Sequence, residues 1–108
     1  MKNPKLAVGY VRSASNEQNK GKKNKQMAEI KRYAAKKGYL IAYTYRDEGH
    51  SGLDLMRPAL NQMCLDSQKS NWSTVIVTKR DRLSRKLSNC KAIEDVLRTA
   101  GVTLISVS

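Results

Sequence analysis

The chain has no phenylalanine, one tryptophan, two prolines, two cysteines and one histidine in 108 residues. Each scarcity closes a class of function. No apolar run approaches the roughly eighteen residues of a membrane helix, and Met1-Lys2-Asn3-Pro4 does not open a secretory signal. A cytoplasmic protein with reduced thiols is therefore expected. Cys64 and Cys90 form no CxxC motif, and with His50 they supply too few soft ligands for a zinc site. His50 lies in a Gly/Ser-rich loop without a placed partner, which removes a Ser-His-Asp triad. No glycine-rich phosphate loop follows the first apolar run, where Ser13-Ala14-Ser15-Asn16 stands instead, and this argues against a nucleotide-binding α/β domain. Acidic residues are scarce as well. Nine Asp and Glu against 21 Lys and Arg leave a formal charge of +12 and a pI near 10.0, an excess that points to a polyanion, with nucleic acid the first choice.

What is present suffices for one domain, residues 1–108, with a modest core of aliphatics and the five tyrosines. Lys5 to Ser13 reads as a strand, followed by a lysine-rich linker from Asn16 to Lys25. A helix is predicted from Gln26 to Gly38, with Met27, Ile30 and Ala34 on its apolar face and Gly38 as its stop. Tyr39 to Tyr45 is the second strand and Asp47 to Gly52 a loop. Pro58 opens a second helix that turns Leu60, Met63 and Cys64 inward. Trp72 to Thr78 carries the continuous apolar run of a strand buried on both faces. A charged turn, Lys79 to Arg85, leads into a third helix with Leu87, Cys90, Ile93 and Leu97 inward, ending at Gly101 before a last strand, 102–107. The alternation predicts an α/β, three-layer sandwich: a mainly parallel sheet of four to five strands flanked by helices.

The residues with chemical potential are mostly arginines. Strand periodicity puts Tyr10, Arg12 and Ala14 on one face and Val11, Ser13 and Ser15 on the other. An arginine flanked by Val8, Tyr10 and Val11 is partly buried and needs a partner: Asp47, Glu48 and Asp81 are structural candidates, a bound anion the functional one. Arg82 and Arg85 share a face if the third helix begins at them, in a first turn that already favours an anion. Asp81 is placed to cap that helix or to orient an arginine. Arg57, between Met56 and Pro58, reads in isolation as a surface residue. Lysines 20, 22, 23 and 25 read as a solvated loop able to track a DNA backbone.

Taken together these stretches resemble the N-terminal catalytic domain of the serine recombinases, the family of resolvases, invertases and large serine integrases. Tyr10, Arg12 and Gln18 match its opening strand and the segment after it. Gln26, Ile30, Tyr33-Ala34 and Gly38-Tyr39 are similar to its first helix. Asp47-Glu48-Gly49 with Ser51-Gly52, and Arg57-Pro58 with Leu60, resemble its next signature, and Asp81-Arg82-Leu83-Ser84-Arg85 matches its Asp-Arg-Leu-x-Arg. The resemblance implies that double-stranded DNA is cleaved and rejoined through a covalent 5′-phosphoserine. It implies no cofactor and no metal, and a homodimer or tetramer in the full-length protein, associated with the nucleoid. Arg12, Arg82 and Arg85 would be catalytic with a serine, and Tyr10, Gln18, Arg57 and Asp81 would bind substrate. The chain departs from the family at the nucleophile, where Ala14 stands. Ser15, just past the strand, is favoured over Ser13, because a shift of one residue costs less in a loop than in a sheet. With neither serine competent, the domain would be an inactive DNA- or partner-binding module. The family's dimerisation helix and C-terminal DNA-binding region are not recognisable within these residues.

Overall fold

The computed structural model describes residues 2–12, 20–47, 57–84 and 87–108. Its elements run β1 (Asn3–Arg12), α1 (Lys20–Lys37), β2 (Leu40–Asp47), α2 (Pro58–Ser67), β3 (Trp72–Val77), a single 3₁₀ turn (Arg80–Arg82), α3 (Leu87–Thr99) and β4 (Thr103–Ser106). The four strands form one sheet in the order β2-β1-β3-β4, and every pairing is parallel. The α/β reading is thus correct, with four strands.

Two buried clusters show how the layers are held. On one face Ala7 and Val11 of β1 and Ile76 of β3 pack against Met27, Ile30 and Ala34 of α1. On the other, Val8, Tyr10, Val75 and Val77 meet Leu60 and Met63 of α2 and Cys90 and Leu97 of α3. Alternate residues of β1 serve opposite clusters, as the period of two requires. The inward stripe of α1 is the predicted one; Ile93 of α3 is half-buried, and so is Cys64 of α2. Gly38 and Gly101 each take a φ of +82°, the left-handed conformation that ends α1 and α3.

Three boundaries differ from expectation. Helix α1 begins at Lys20, so the tract read as a linker continues the helix, consistent with lysine being a good helix former when solvated. Asp47 is the last residue of β2, not the start of a loop. Arg82 lies in the 3₁₀ turn, ahead of α3, so it is not in that helix's first turn.

Connections set where a ligand can sit. From β1 the chain passes through α1 to β2 on one side, whereas from β3 it passes through α3 to β4 on the other. The carboxyl ends of β1 and β3 therefore flank the topological switch point, where open α/β sheets bind ligands. Arg12 ends β1 there, and Lys79, Arg80 and Arg82 follow β3 there.

Candidate active site

At these strand ends a buried polar network is centred on Asp47. The Tyr10 hydroxyl donates to Asp47 Oδ2 at 2.8 Å. The same carboxylate accepts the backbone N–H groups of Ala59 (2.9 Å, to Oδ1) and Leu60 (3.1 Å, to Oδ2) in the first turn of α2. An aspartate on a neighbouring strand thereby satisfies the orphan donors of a helix whose own cap position, Arg57, supplies no side-chain bond. Pro58 suits the start of that helix because it has no N–H to satisfy.

Arg57 closes the network. Its Nη2 donates to the Tyr10 hydroxyl at 2.8 Å and to the Arg82 carbonyl at 2.6 Å. Its guanidinium carbon stands 5.6 Å from the centroid of the Tyr10 ring. The surface reading of Arg57 is wrong, since the residue is only 6% exposed. Neighbouring Met56 and Pro58 gave no hint of this, because burial comes from β1 and the 3₁₀ turn. Burial pushes the Tyr10 phenol above its usual range; Arg57 opposes the shift, while the bond to Asp47 adds to it. Tyr10 is consequently a fixed, protonated strut between a carboxylate and a guanidinium.

Arg12, two residues beyond Tyr10, is 8% exposed, in agreement with the burial expected of it. Gln26 of α1 clamps its backbone: Arg12 N–H donates to Gln26 Oε1 at 3.3 Å and Gln26 Nε2 donates to the Arg12 carbonyl at 3.0 Å. Asp47 is its cross-strand neighbour in register, and the Asp47 carboxylate bonds Tyr10 and the first turn of α2.

Arg82 is half-buried, and its Nε is buried with no hydrogen-bond acceptor among the described residues. The turn carrying it is anchored from behind. Leu83 is fully buried, the Cys90 thiol contacts the Arg80 and Ser84 carbonyls at 3.4 and 3.2 Å, and Arg80 pairs with Glu94 of α3 at 2.6 Å. Asp81 is exposed on this turn, and among the described residues it neither caps a helix nor bonds an arginine.

Tyr10, Arg57 and the Arg82 backbone are thus joined, with Arg12 next along the same strand. Ser13, Ser15, Gln18 and Arg85, with Ala14, lie outside the described residues. Sequence reasoning did not assign the central parts played by Asp47 and Gln26. Gln26 carried a readable signal: it heads the spacing 26, 30, 34, which makes it a polar member of an apolar stripe. Asp47 was singled out as a candidate partner of Arg12, but nothing signalled its capping role, because the helix it caps starts eleven residues later.

Comparison with known proteins agrees with this geometry. Residues 7–108 match the family described as "Resolvase, N terminal domain". Over 99 residues, 92% of the chain, the sequence is 41% identical to a Bacillus subtilis (strain 168) protein named "Putative DNA recombinase"; the match spans 20% of that protein, so the chain is similar to about one fifth of its length. The N-terminal catalytic domain of TP901-1 integrase superposes with a TM-score of 0.87 at 31% identity, covering 95% of this chain and 78% of that one. A resolvase family site-specific recombinase from Streptococcus pneumoniae gives 0.82 at 28% identity, covering 94% and 71%.

Proposed function

Because the chain belongs to the resolvase family, as a serine recombinase catalytic domain, we propose that residues 1–108 act as one unit that cuts and rejoins double-stranded DNA. The observation that carries the reading is the Arg57 bridge. By bonding Tyr10 and the Arg82 carbonyl it joins β1 to the 3₁₀ turn, and so gathers Arg12, Arg57 and Arg82 at the switch point of a strongly basic domain.

In the proposed step a serine hydroxyl oxygen attacks the phosphorus of a DNA phosphodiester. A serine O–P bond forms, the bond from phosphorus to the 3′-oxygen breaks, and that oxygen leaves as a 3′-hydroxyl carrying the proton. One phosphodiester is exchanged for another, so rejoining by a 3′-hydroxyl is the same reaction reversed. Charge on the pentacoordinate phosphorus falls to guanidinium groups, which stay protonated and offer a planar fork of donors. Arg12 and Arg82 take this role with Arg85, and Ser15, ahead of Ser13, supplies the hydroxyl. Tyr10 and Arg57 hold the cradle in shape, while Gln18 and Asp81 complete substrate contact. Exchange between two duplexes calls for more than one copy, so a homodimer or tetramer on nucleoid DNA belongs to this reading.

Trapping on a nicked crossover duplex, read by denaturing gel and peptide mass mapping, tests it. A covalent adduct on Ser15 or Ser13 is expected, and Arg82→Ala should lower its rate on the order of a hundredfold, about 3 kcal/mol, with the melting temperature little changed. Ala14 favours a second reading, a binding module without cleavage. DNA binding with no adduct from the intact recombinase would select it.

A further inference from the structure

On the α1 side of the sheet, a concavity of about 230 Å³ opens at the switch point, lined by Lys25, Gln26, Glu29, Thr78, Lys79 and Arg82. We propose that Lys25, Lys79 and Arg82 form a subsite for a second, non-scissile phosphate of the DNA strand, alongside the arginine cradle. The DNA identity of the ligand rests on the function proposed above; the anion site itself rests on the following geometry.

Three cations meet one carboxylate in this concavity. Glu29 makes no ion pair with Arg82 among the described residues, so Arg82 Nε remains buried without an acceptor. Lys25 and Lys79 are both exposed at the rim, where their ammonium groups are free to follow a mobile, hydrated anion. Helix α1 starts at this end of the sheet, and its first turn contains no acidic residue, so the turn itself brings no negative charge to the positive end of the helix dipole. The volume is below that of a pocket for a drug-sized molecule or a whole nucleotide, and suits a phosphate group with its waters.

The two phosphate positions share a wall. Gln26 lines the concavity and, through both of its amide atoms, holds the Arg12 backbone. Arg82 gives its carbonyl to Arg57 and also lines the concavity. A strand lying across the carboxyl ends of β1 and β3 would meet Arg12 and Arg57 on one side of this wall and Lys25 and Lys79 on the other. The subsite gives no sequence preference, because phosphates carry none; it fixes the register of the strand over the nucleophile.

The test is fluorescence anisotropy of the 108-residue chain with a short labelled duplex across a salt titration. Lys25→Gln with Lys79→Gln is compared with Lys36→Gln and Lys37→Gln, an equal loss of charge at the far end of α1. In the subsite pair the slope of log K against log salt should become shallower by about one unit, as for loss of one phosphate contact, and the control pair should leave it unchanged. Equal changes in both pairs, no change in the subsite pair, or no binding by the unsubstituted chain would each overturn the subsite. Adduct formation is scored separately, on the intact recombinase as above: a differential slope without any adduct there sinks cleavage and keeps the subsite, whereas an adduct with equal slopes does the reverse.

Discussion

Helix α2 is stitched to the sheet at both ends by the same kind of bond, and the two ends do different work. At its C-terminal end the Tyr45 hydroxyl donates to Asp66 at 2.7 Å, with Gln62 adding a second bond at 2.8 Å. Lys2 strengthens that end by donating to the Ser67 and Ser70 carbonyls. At its N-terminal end the Tyr10 hydroxyl donates to Asp47 at 2.8 Å. The bond lengths are equal within any useful tolerance, so a tyrosine–aspartate pair is not in itself a site. What separates them is the company. Asp47 also takes two backbone N–H groups, Tyr10 also accepts from Arg57, and both stand at the carboxyl ends of strands. In the other pair Tyr45 is buried but the Asp66 carboxylate reaches the surface, with a neutral amide where the first has a guanidinium.

The comparison can be broken most forcefully at the carboxylates. Asp47→Ala leaves the Tyr10 hydroxyl and two helix donors without their acceptor and removes the anion that shares the Tyr10 hydroxyl with Arg57. A loss of about 3 kcal/mol or more is expected, on the order of 15 °C in melting temperature, together with loss of adduct formation. Asp66→Ala, whose carboxylate is solvated, should shift the melt only slightly and leave the adduct rate alone. Thermal denaturation of the two variants side by side decides the matter. Equal melts would mean that the N-terminal stitch is as peripheral as the other.

This contrast also shows which parts of the molecule could be read in advance. Strands and helices were legible because their signals are local: the continuous run Val75-Ile76-Val77, the stripe Met27, Ile30, Ala34, and the stops at Gly38 and Gly101. The burial of Arg12 followed from its apolar neighbours. Three things were not local. Arg57 is buried by contacts from β1 and the 3₁₀ turn, both distant in sequence. Asp47 caps a helix across an intervening segment, and no spacing rule reaches that far. Polarity suggested a loop for the tract before Gln26, yet lysine is compatible with either state, and the helix extends through it. The arginine set was visible, but what holds it in place was not.

A milder cut removes only the hydroxyls. Tyr10→Phe keeps the ring in its buried slot but deprives Asp47 of one donor and Arg57 Nη2 of one acceptor. The expected cost is about 1–2 kcal/mol, and the adduct rate should fall roughly tenfold as the turn bearing Arg82 loosens. Tyr45→Phe breaks the matching bond at the other end and should leave the adduct rate unchanged, with a smaller melting shift. Rates compared at temperatures where both variants are fully folded separate positioning from stability. A rate loss in Tyr45→Phe as large as that in Tyr10→Phe would make the two stitches functionally equivalent.

The smallest effect is in the pH dependence, where the two ends should look alike. Burial raises both phenols above the ordinary value of 10.0, with Asp47 adding to the shift of Tyr10 and Asp66 to that of Tyr45. In each case the fold favours the protonated phenol. The stability this contributes is complete below about pH 10 and is lost as pH rises from there towards the folded values, because only the unfolded chain then releases protons. The Tyr10 contribution should decline by up to about 1.4 kcal/mol per pH unit in that range, and Tyr10→Phe should flatten the alkaline limb accordingly. Asp66 behaves in the opposite sense: the bonds from Tyr45 and Gln62 hold its carboxyl below the usual 3.8, so its contribution is present above that value and fades as pH falls through it. Asp66→Asn should therefore flatten the acid limb and leave the alkaline limb in place. Melting curves between pH 3 and pH 11 read both limbs. If Tyr10→Phe left the alkaline limb as steep as before, the Tyr10 phenol would have to be ionising in the folded chain beside Arg57, and its place as a protonated strut would be lost.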